Sequence, residues 1–307
     1  MERIAYKGWE NCYELSDGLL KLIVTADVGP RVLHFGFVGG ENEFYENAAY
    51  AGLTGGDTWR NYGGHRLWHA PEIVPRTYAP DNSPVTVEDH GAFARFIQPV
   101  EAMTGMQKEM DLRLFAGEAH VRVTHRLRNT TPWAVELAPW ALSVMAPGGT
   151  AIVPLPPRVS HDENLQPTGA LILWGYTDLT DPRWSWGRQL FMLRQVPGAA
   201  EAQKAGGPVP EGWVAYARGE HLFVTTFRYQ AEARYPDRGC AVEVFTNGAM
   251  LEVETLGPLV TLPAGGEVEH VEHWFLLSGI PVPATEGDAL AQRSEEHTSE
   301  LQSPNTI

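Results

Sequence analysis

Short runs of alternating apolar and polar residues recur along almost the whole sequence, and they constrain the fold more than any other feature. Leu20 to Thr25 reads LKLIVT, and Arg31 to Val38 reads RVLHFGFV between a Gly-Pro pair and a Gly-Gly pair. A period of two places successive side chains on opposite faces of a β-strand. The further runs are Ala94 to Pro99, Lys108 to Phe115, His120 to Leu127, Glu136 to Met145, Leu190 to Arg194, Trp213 to Arg218, Leu222 to Tyr229, Ala241 to Phe245, Met250 to Glu254 and Glu267 to Leu277.

The spacing of these runs predicts the architecture. Gly, Pro, Asn and Asp occupy nearly every gap, and no long amphipathic helix precedes the C-terminal tail. More than ten strands without a repeated motif favour stacked antiparallel sheets over a propeller. The segment Val196 to Glu211 has few bulky apolar residues and is interpreted as a surface loop, because strand patterning resumes on both sides of it. We therefore predict one large all-β sandwich domain over residues 1–285.

Residues 286–307 are interpreted as a C-terminal tail beyond the sandwich domain, and the part from residue 293 onward is excluded from the fold. Arg293 to Ser303 reads RSEEHTSELQS, which is the translation of a common DNA-sequencing adapter. Eleven consecutive matching codons are hard to obtain by chance, so residues 293–307 are interpreted as translated adapter rather than natural protein. The alternative is a polar C-terminal helix.

The composition limits the classes of molecule that this protein is expected to bind. The net charge of −15 disfavours nucleic acid and anionic membrane surfaces. No stretch has the roughly 18 apolar residues that span a membrane, and Met1 to Tyr6 does not resemble a secretory signal, so we expect a cytoplasmic protein. The two cysteines, Cys12 and Cys240, are expected to be free thiols. Ten tryptophans and ten tyrosines suit both a sandwich core and a sugar site, where aromatic rings cover the apolar face of a pyranose.

The segment Thr54 to Asn82 reads TGGDTWRNYGGHRLWHAPEIVPRTYAPDN and is predicted to be a long irregular segment. Long irregular segments in compact domains are often functional. Planar hydrogen-bonding side chains and indoles are the mixture that sugar sites use. The candidate sugar-binding residues here are Trp59, Arg60, Asn61, His65, Trp68 and His69. The alternative is a loop whose polar residues hold its own backbone.

A metal site built from His65 and His69 is disfavoured. Residues four apart share a face on a helix, and the glycines and Pro71 argue against a helix here. We therefore predict neither a metal nor another cofactor.

Residues Tyr235 to Pro258 are predicted to form a hairpin around Thr246-Asn247-Gly248. The alternation places Glu243, Glu252 and Glu254 on one sheet face, where clustering raises at least one carboxyl pKa. The alternative is an ordinary solvated sheet face. A third polar run, EVEHVEHW at Glu267 to Trp274, is interpreted as structural rather than catalytic.

Three segments resemble the galactose mutarotase-like superfamily. Ile23 to Phe44, IVTADVGPRVLHFGFVGGENEF, looks like its opening strands. Leu127 to Gly149, LRNTTPWAVELAPWALSVMAPGG, looks like its central strand pair. Leu251 to Leu277, LEVETLGPLVTLPAGGEVEHVEHWFLL, looks like its closing strands. Two further motifs, NYGGHRLWHAPE and YPDRGCAVEVFTN, look like those of an uncharacterised branch of the superfamily. The resemblance covers roughly Met1 to Gly279 and implies a large antiparallel supersandwich.

The resemblance also implies site residues. Mutarotases of this superfamily use a glutamate base and a histidine acid at the anomeric centre of a sugar. By motif, the base position falls on Glu254, and His65 after its glycine pair looks like the substrate-binding histidine. The acid position falls on Trp140, which cannot transfer a proton at neutral pH. Another acid, His69 or His65, would then have to act, or the chemistry has changed.

The sequence therefore predicts a carbohydrate-binding protein, with an aldose 1-epimerase-like isomerase as the enzymatic version. Glu254 and His65 are the candidate catalytic residues, expected to meet across one shared hollow. Trp59, Arg60, Asn61, Trp68, His69 and Glu243 are the candidate substrate-binding residues. The alternative is a non-catalytic sugar-binding or structural interaction domain. The sequence determines neither the sugar nor the oligomeric state.

Overall fold

The computed structural model describes residues 1–287 and 289. These residues form twenty-one strands, and helical backbone among them is limited to residues 286, 287 and 289. In chain order the strands are β1 (Glu2–Tyr6), β2 (Trp9–Ser16), β3 (Leu20–Thr25), β4 (Arg31–Phe37), β5 (Gly64–Ala70), β6 (Thr86–Asp89), β7 (Ala94–Ile97), β8 (Met106–Leu114), β9 (His120–Asn129), β10 (Val135–Met145), β11 (Thr150–Pro154), β12 (Ile172–Leu173), β13 (Trp184–Trp186), β14 (Leu190–Arg194), β15 (Gln203–Gly207), β16 (Trp213–Arg218), β17 (His221–Phe227), β18 (Val242–Thr246), β19 (Leu251–Leu256), β20 (Val260–Leu262) and β21 (Glu267–Ser278).

The strands form two antiparallel sheets. The first sheet has eleven strands in the order β1-β2-β3-β4-β5-β10-β19-β18-β15-β12, with β20 pairing with β10. The second has ten strands in the order β13-β14-β11-β16-β17-β21-β9-β8-β7-β6. This arrangement confirms the large antiparallel β-sandwich.

The main apolar core lies between the two sheets. Phe35 of the first sheet packs against Trp274 of the second, with ring centroids 5.5 Å apart. Val123 and Val253 belong to the same buried cluster. Burying each large apolar side chain contributes roughly 1.5–3 kcal/mol to folding, so the inward faces of the alternating runs hold the sheets together.

Two segments predicted as irregular are strands, and both lie in the first sheet. Gly64–Ala70 forms β5, in the interior of that sheet and buried at every position. A strand buried on both faces loses the alternation that marks a strand in the sequence. Gln203–Gly207 forms β15, which is also fully buried. Its glycines are required by close packing, since a Cβ on Gly206 would lie 2.9 Å from Sγ of Cys240.

The glycine pair before His65 has a steric cause. Gly63 and Gly64 have φ angles of +85° and +69°, a region that favours glycine. A Cβ on Gly64 would lie 2.2 Å from the carbonyl oxygen of Val32. The pair therefore lets β5 approach β4 closely where the strand begins.

Cys12 and Cys240 are both buried and free, as predicted. The adapter-like segment, residues 293–307, lies outside the described residues. None of the helical residues described belongs to a helix long and apolar enough to cross a membrane.

Candidate functional site

Five adjacent strands of the first sheet, β5, β10, β19, β18 and β15, present a polar and aromatic surface on the side away from the second sheet. The register places Leu142 of β10 opposite both Arg66 of β5 and Glu254 of β19. Glu254 lies in turn opposite Glu243 of β18. Directly opposed residues point to the same face. We call this surface the outer face.

The hairpin predicted at Thr246-Asn247-Gly248 is formed by β18 and β19. Glu243 and Glu254 are fully buried, and Glu252 is 8% exposed. The three carboxylates therefore share a face as predicted, and the alternative of a solvated sheet face is wrong.

Lys204 of β15 is the cation of this cluster. Its Nζ lies 2.7 Å from Oε2 of Glu243 and 3.1 Å from Oε2 of Glu254. The same ammonium lies 5.0 Å from the ring centroid of Trp140 and 4.8 Å from that of Trp174. Lys204 therefore bridges two carboxylates between two indole rings, an arrangement that combines ion pairing with cation–π attraction.

The shared ammonium sets the protonation of the pair. Burial lowers the pKa of Lys204, but Glu243 and Glu254 together hold that pKa well above its usual value. Burial raises the pKa of Glu243 well above its usual value, with Lys204 opposing and Glu254 adding to the rise. Burial also raises the pKa of Glu254. One ammonium fully compensates one carboxylate, so the second carboxyl group is favoured in its protonated form.

Glu254 is oriented by Trp140, whose Nε1–H donates to Oε2 of the carboxylate at 2.8 Å. The residue at the expected acid position therefore donates a hydrogen bond to the residue at the base position. A carboxylate that accepts both an indole N–H and an ammonium is favoured in its ionised form, so we assign the negative charge of the pair to Glu254.

A second cation lies farther along the outer face. The guanidinium of Arg66 donates to Oε1 of Glu252 at 3.1 Å. It lies 4.5 Å from the ring centroid of Trp68 and 5.5 Å from that of Trp59. Trp68 in turn packs edge-on against Trp140, with centroids 5.3 Å apart. The indoles therefore connect the Arg66 and Lys204 centres into one surface.

The structure does not bring His65 to Glu254. Residues alternate along β5, so His65 and Arg66 point to opposite faces. Nδ1 of His65 lies 2.9 Å from Oγ of Ser143, and its Nε2 lies 3.2 Å from Nε2 of His125 in the second sheet. The expectation that Glu254 and His65 share a hollow is therefore wrong, because one faces outward and the other lies between the sheets.

His69 also lies between the sheets. It is 1% exposed, and its Nε2 lies 3.8 Å from Oε2 of Glu101, which pairs with Lys108 at 2.6 Å. Neither His69 nor His65 is placed to replace an acid on the outer face.

The other predicted binding residues divide between the surface and its supporting loop. Trp59 and Trp68 lie on the outer face, with centroids 5.3 Å apart. Arg60 donates to the carbonyl of Gly55 at 2.8 Å, and Oδ1 of Asn61 accepts the backbone N–H of Gly63 at 3.1 Å. Arg60 and Asn61 therefore hold the loop that carries Trp59.

Sequence reasoning missed Lys204, which lies in the segment interpreted as a surface loop. The one available signal was its rarity, because the chain has only four lysines. It also missed Arg66 and Trp174 as members of the outer face.

Comparison with solved structures finds the same architecture in other proteins. A putative aldose 1-epimerase from Klebsiella pneumoniae superposes with a TM-score of 0.60 at 12% identity, covering 99% of this chain and 88% of its own. A galactose mutarotase-like protein from Lactobacillus casei gives 0.56 at 10% identity, covering 87% and 100%. A galactose mutarotase related enzyme from Lactobacillus acidophilus gives 0.51 at 9% identity, covering 87% and 98%.

The chain therefore has the galactose mutarotase-like fold, and the resemblance drawn from the sequence is confirmed at the level of the fold. No protein-family model matches the sequence, and no curated protein matches it. Identities of this size establish the architecture alone.

Proposed function

We propose that the outer face binds a carbohydrate through Glu243, Lys204 and Glu254. Carboxylates and an ammonium are complementary to sugar hydroxyls, which both donate and accept hydrogen bonds. Trp174 and Trp59 are both half-buried and supply the aromatic surface for a ring face. In this proposal Glu254 and Glu243 both contact the sugar. The tryptophans that stack on the sugar ring are Trp59 and Trp174 rather than Trp68, because Arg66 covers the Trp68 ring.

The proposal depends on two buried carboxylate oxygens that have no hydrogen-bond partner within the described part of the chain. Oε1 of Glu243 and Oε1 of Glu254 are buried and accept no hydrogen bond from any residue the structure describes. A buried polar atom without a partner costs about 1–3 kcal/mol. Both oxygens are closed to solvent in this structure, so a sugar hydroxyl would donate to them and remove that cost after displacing the side chains that cover the outer face. The fold of the putative aldose 1-epimerase and galactose mutarotase-like structures agrees with this ligand class.

Binding is tested by titrating the protein with glucose, galactose and their 6-phosphates. Calorimetry or tryptophan fluorescence measures the binding. We expect saturable binding of at least one of these sugars. Glu254→Gln should weaken binding about tenfold, or about 1.4 kcal/mol, because the amide loses the charge that pairs with Lys204. The matched control is Glu136→Gln, which changes an exposed glutamate on β10 and should bind as the unmodified protein does. Absence of saturable binding, or equal affinity of Glu254→Gln, would contradict the proposal.

A second function, isomerisation at the anomeric carbon, is favoured by the raised pKa of Glu243. A protonated Glu243 beside an ionised Glu254 forms an acid and a base on adjacent strands, which is the pair that ring opening of an aldose needs. In this version Glu243 supplies the proton to the ring oxygen, and Glu254 accepts the proton of the anomeric hydroxyl.

Proton NMR of freshly dissolved α-glucose or α-galactose tests this second function. The protein should accelerate the appearance of the β-anomer, and Glu243→Gln and Glu254→Gln should each reduce the rate by on the order of a hundredfold. Sugar binding together with an unchanged rate of anomer exchange would establish a binding protein without this activity.

A further inference from the structure

A separate polar cluster lies between the two sheets, on the opposite face of β5 from the proposed sugar site. His65 reaches across from the first sheet to His125 of β9 and Glu272 of β21 in the second. The two Nε2 atoms are 3.2 Å apart. Oε2 of Glu272 lies 3.1 Å from Nε2 of His125 and 3.6 Å from Nε2 of His65. Three potential ligand atoms thus form a nearly equilateral triangle.

The edges of this triangle have the size that a tetrahedral metal ion requires. A Zn²⁺ ion with bonds of about 2.0–2.1 Å holds its ligand atoms about 3.3 Å apart. The three edges, 3.1, 3.2 and 3.6 Å, lie close to that spacing. Two imidazoles and one carboxylate are also a ligand set that zinc accepts in proteins.

Hydrogen bonds outside the triangle orient two of its members, His65 and Glu272. Nδ1 of His65 lies 2.9 Å from Oγ of Ser143. In the tautomer in which Nδ1–H donates to this hydroxyl, a lone pair on Nε2 points into the triangle. Thr255 donates to Oε1 of Glu272 at 2.6 Å, and Nε1–H of Trp274 donates to Oε2 at 3.1 Å, so Oε2 keeps one lone pair for the triangle. Outer hydrogen bonds of this kind fix the tautomer and position of metal ligands.

Hydrogen bonds alone do not satisfy all three ligand atoms of the triangle. In the tautomer with the His65 proton on Nδ1, an N–H on His125 directed at Glu272 leaves the lone pairs of His65 and Glu272 facing each other. The exposed fractions of His65, His125 and Glu272 are 0%, 0% and 1%, so bulk water does not screen that repulsion. A cation inside the triangle would be attracted by all three lone pairs.

We propose that His65, His125 and Glu272 bind one divalent transition-metal ion, with Zn²⁺ matching the ligand chemistry, and that this ion links the two sheets. The site is enclosed, so the ion is acquired during folding and retained by the folded chain. Its role is structural, since no part of the triangle reaches the outer face. It is independent of sugar binding.

The experiment starts from protein unfolded in denaturant with a chelator and refolded with or without Zn²⁺. After removal of free ions, metal analysis should find one Zn²⁺ per chain in the zinc-refolded sample, with a higher Tm than the metal-free sample. Refolding with Co²⁺ should give the visible absorption of a tetrahedral ion, in which one water completes the three protein ligands. Zinc-refolded wild-type protein without bound metal would overturn the proposal, whatever the variants do.

Substitutions distinguish the loss of a metal ligand from a general loss of packing between the sheets. Glu272→Gln and His125→Asn should lose the bound ion and the zinc-dependent rise in Tm. The matched control is His273→Gln, which lies on β21 between Glu272 and Trp274 but pairs with His120 at 2.8 Å instead. It should retain one ion. Retention of stoichiometric zinc by both Glu272→Gln and His125→Asn would also overturn the proposal.

Discussion

Buried ionised residues carry much of the chemistry of this chain. Lys204 lies against Glu243 and Glu254, and Lys108 pairs with Glu101 at 2.6 Å between the sheets. Arg31 is fully buried and pairs with Asp81 at 2.6 Å. Removing one partner of such a pair leaves an uncompensated charge in a medium that solvates it poorly.

Lys204→Met should destabilise the fold by about 3–5 kcal/mol, because Glu243 and Glu254 would then face each other without a cation. Urea denaturation measures this as a lower midpoint. The control is Lys7→Met, which removes a surface ion pair between half-exposed Lys7 and Glu46 and should cost at most about 1 kcal/mol. Equal midpoints for the two variants would show that Lys204 does not stabilise the carboxylate pair.

Glu101 should make stability depend on pH below neutrality. Burial raises the pKa of Glu101, but Lys108 and then His69 lower it to about 2, below the usual value of 4.5. A depressed pKa stabilises the fold above the unfolded value, and that contribution is lost as the pH falls from about 4.5 towards 2. Its size at neutral pH is about 3 kcal/mol.

The measurement compares the unfolding free energies of wild-type protein and Glu101→Gln at pH 7 and at pH values below 4.5. We expect the difference between them to shrink as the pH falls. Glu88→Gln, which changes a half-exposed glutamate paired with His90 at the surface, should show a much smaller trend. A difference that stays constant with pH would contradict the role assigned to Glu101.

At the scale of the strand, β5 contributes side chains to both polar clusters of the molecule. Its residues alternate between the outer face, with Arg66 and Trp68, and the interior, with His65 and His69. The motif NYGGHRLWHAPE therefore supplies two different polar clusters. Sequence reasoning placed these residues together in one loop because the motif lacks a surface-strand alternation.

Gly64→Ala should be much more destabilising than Gly39→Ala. Both glycines have positive φ, +69° and +77°, but only Gly64 would place a Cβ against backbone, 2.2 Å from the oxygen of Val32. Nothing lies within 4 Å of a Cβ on Gly39. We expect a cost of about 1–2 kcal/mol at Gly39 and at least about 2 kcal/mol more at Gly64. Chemical denaturation would refute this if the two costs were the same.

The β18–β19 hairpin shows what local pattern predicts well. Its turn residues and alternation placed Glu243, Glu252 and Glu254 on one face without knowledge of the rest of the fold, and the structure pairs Glu243 with Glu254. The partner strand β15 could not be found in this way. Gln203–Gly207 has no β-branched or aromatic residue, and its strand structure depends on pairing with β18.

At the scale of the whole molecule, the last strand among the described residues ends at Ser278. Shortening the chain after Gln292 should therefore leave Tm unchanged, as the interpretation of residues 293–307 as adapter requires. Shortening it after Ala284 should lower stability by about 1–2 kcal/mol. The second variant loses the Glu286 carboxylate that accepts the backbone N–H of Leu190 at 2.8 Å, and the buried Ala289. Thermal unfolding of both variants checks this, and an equal loss in the two would contradict the adapter interpretation.

The sequence by itself determined the all-β class, most strand positions and the carboxylate hairpin, because period-two patterning and turn residues act over a few neighbouring positions. The mutarotase-like fold was expected from the resemblance of three segments to that superfamily. The tertiary structure decided which polar residues meet. It placed Lys204 between Glu243 and Glu254, and it sent His65 to the interior instead of to Glu254. Those outcomes depend on the order of strands in the sheet and on which face each buried strand presents, and both are set by contacts between residues far apart in the chain.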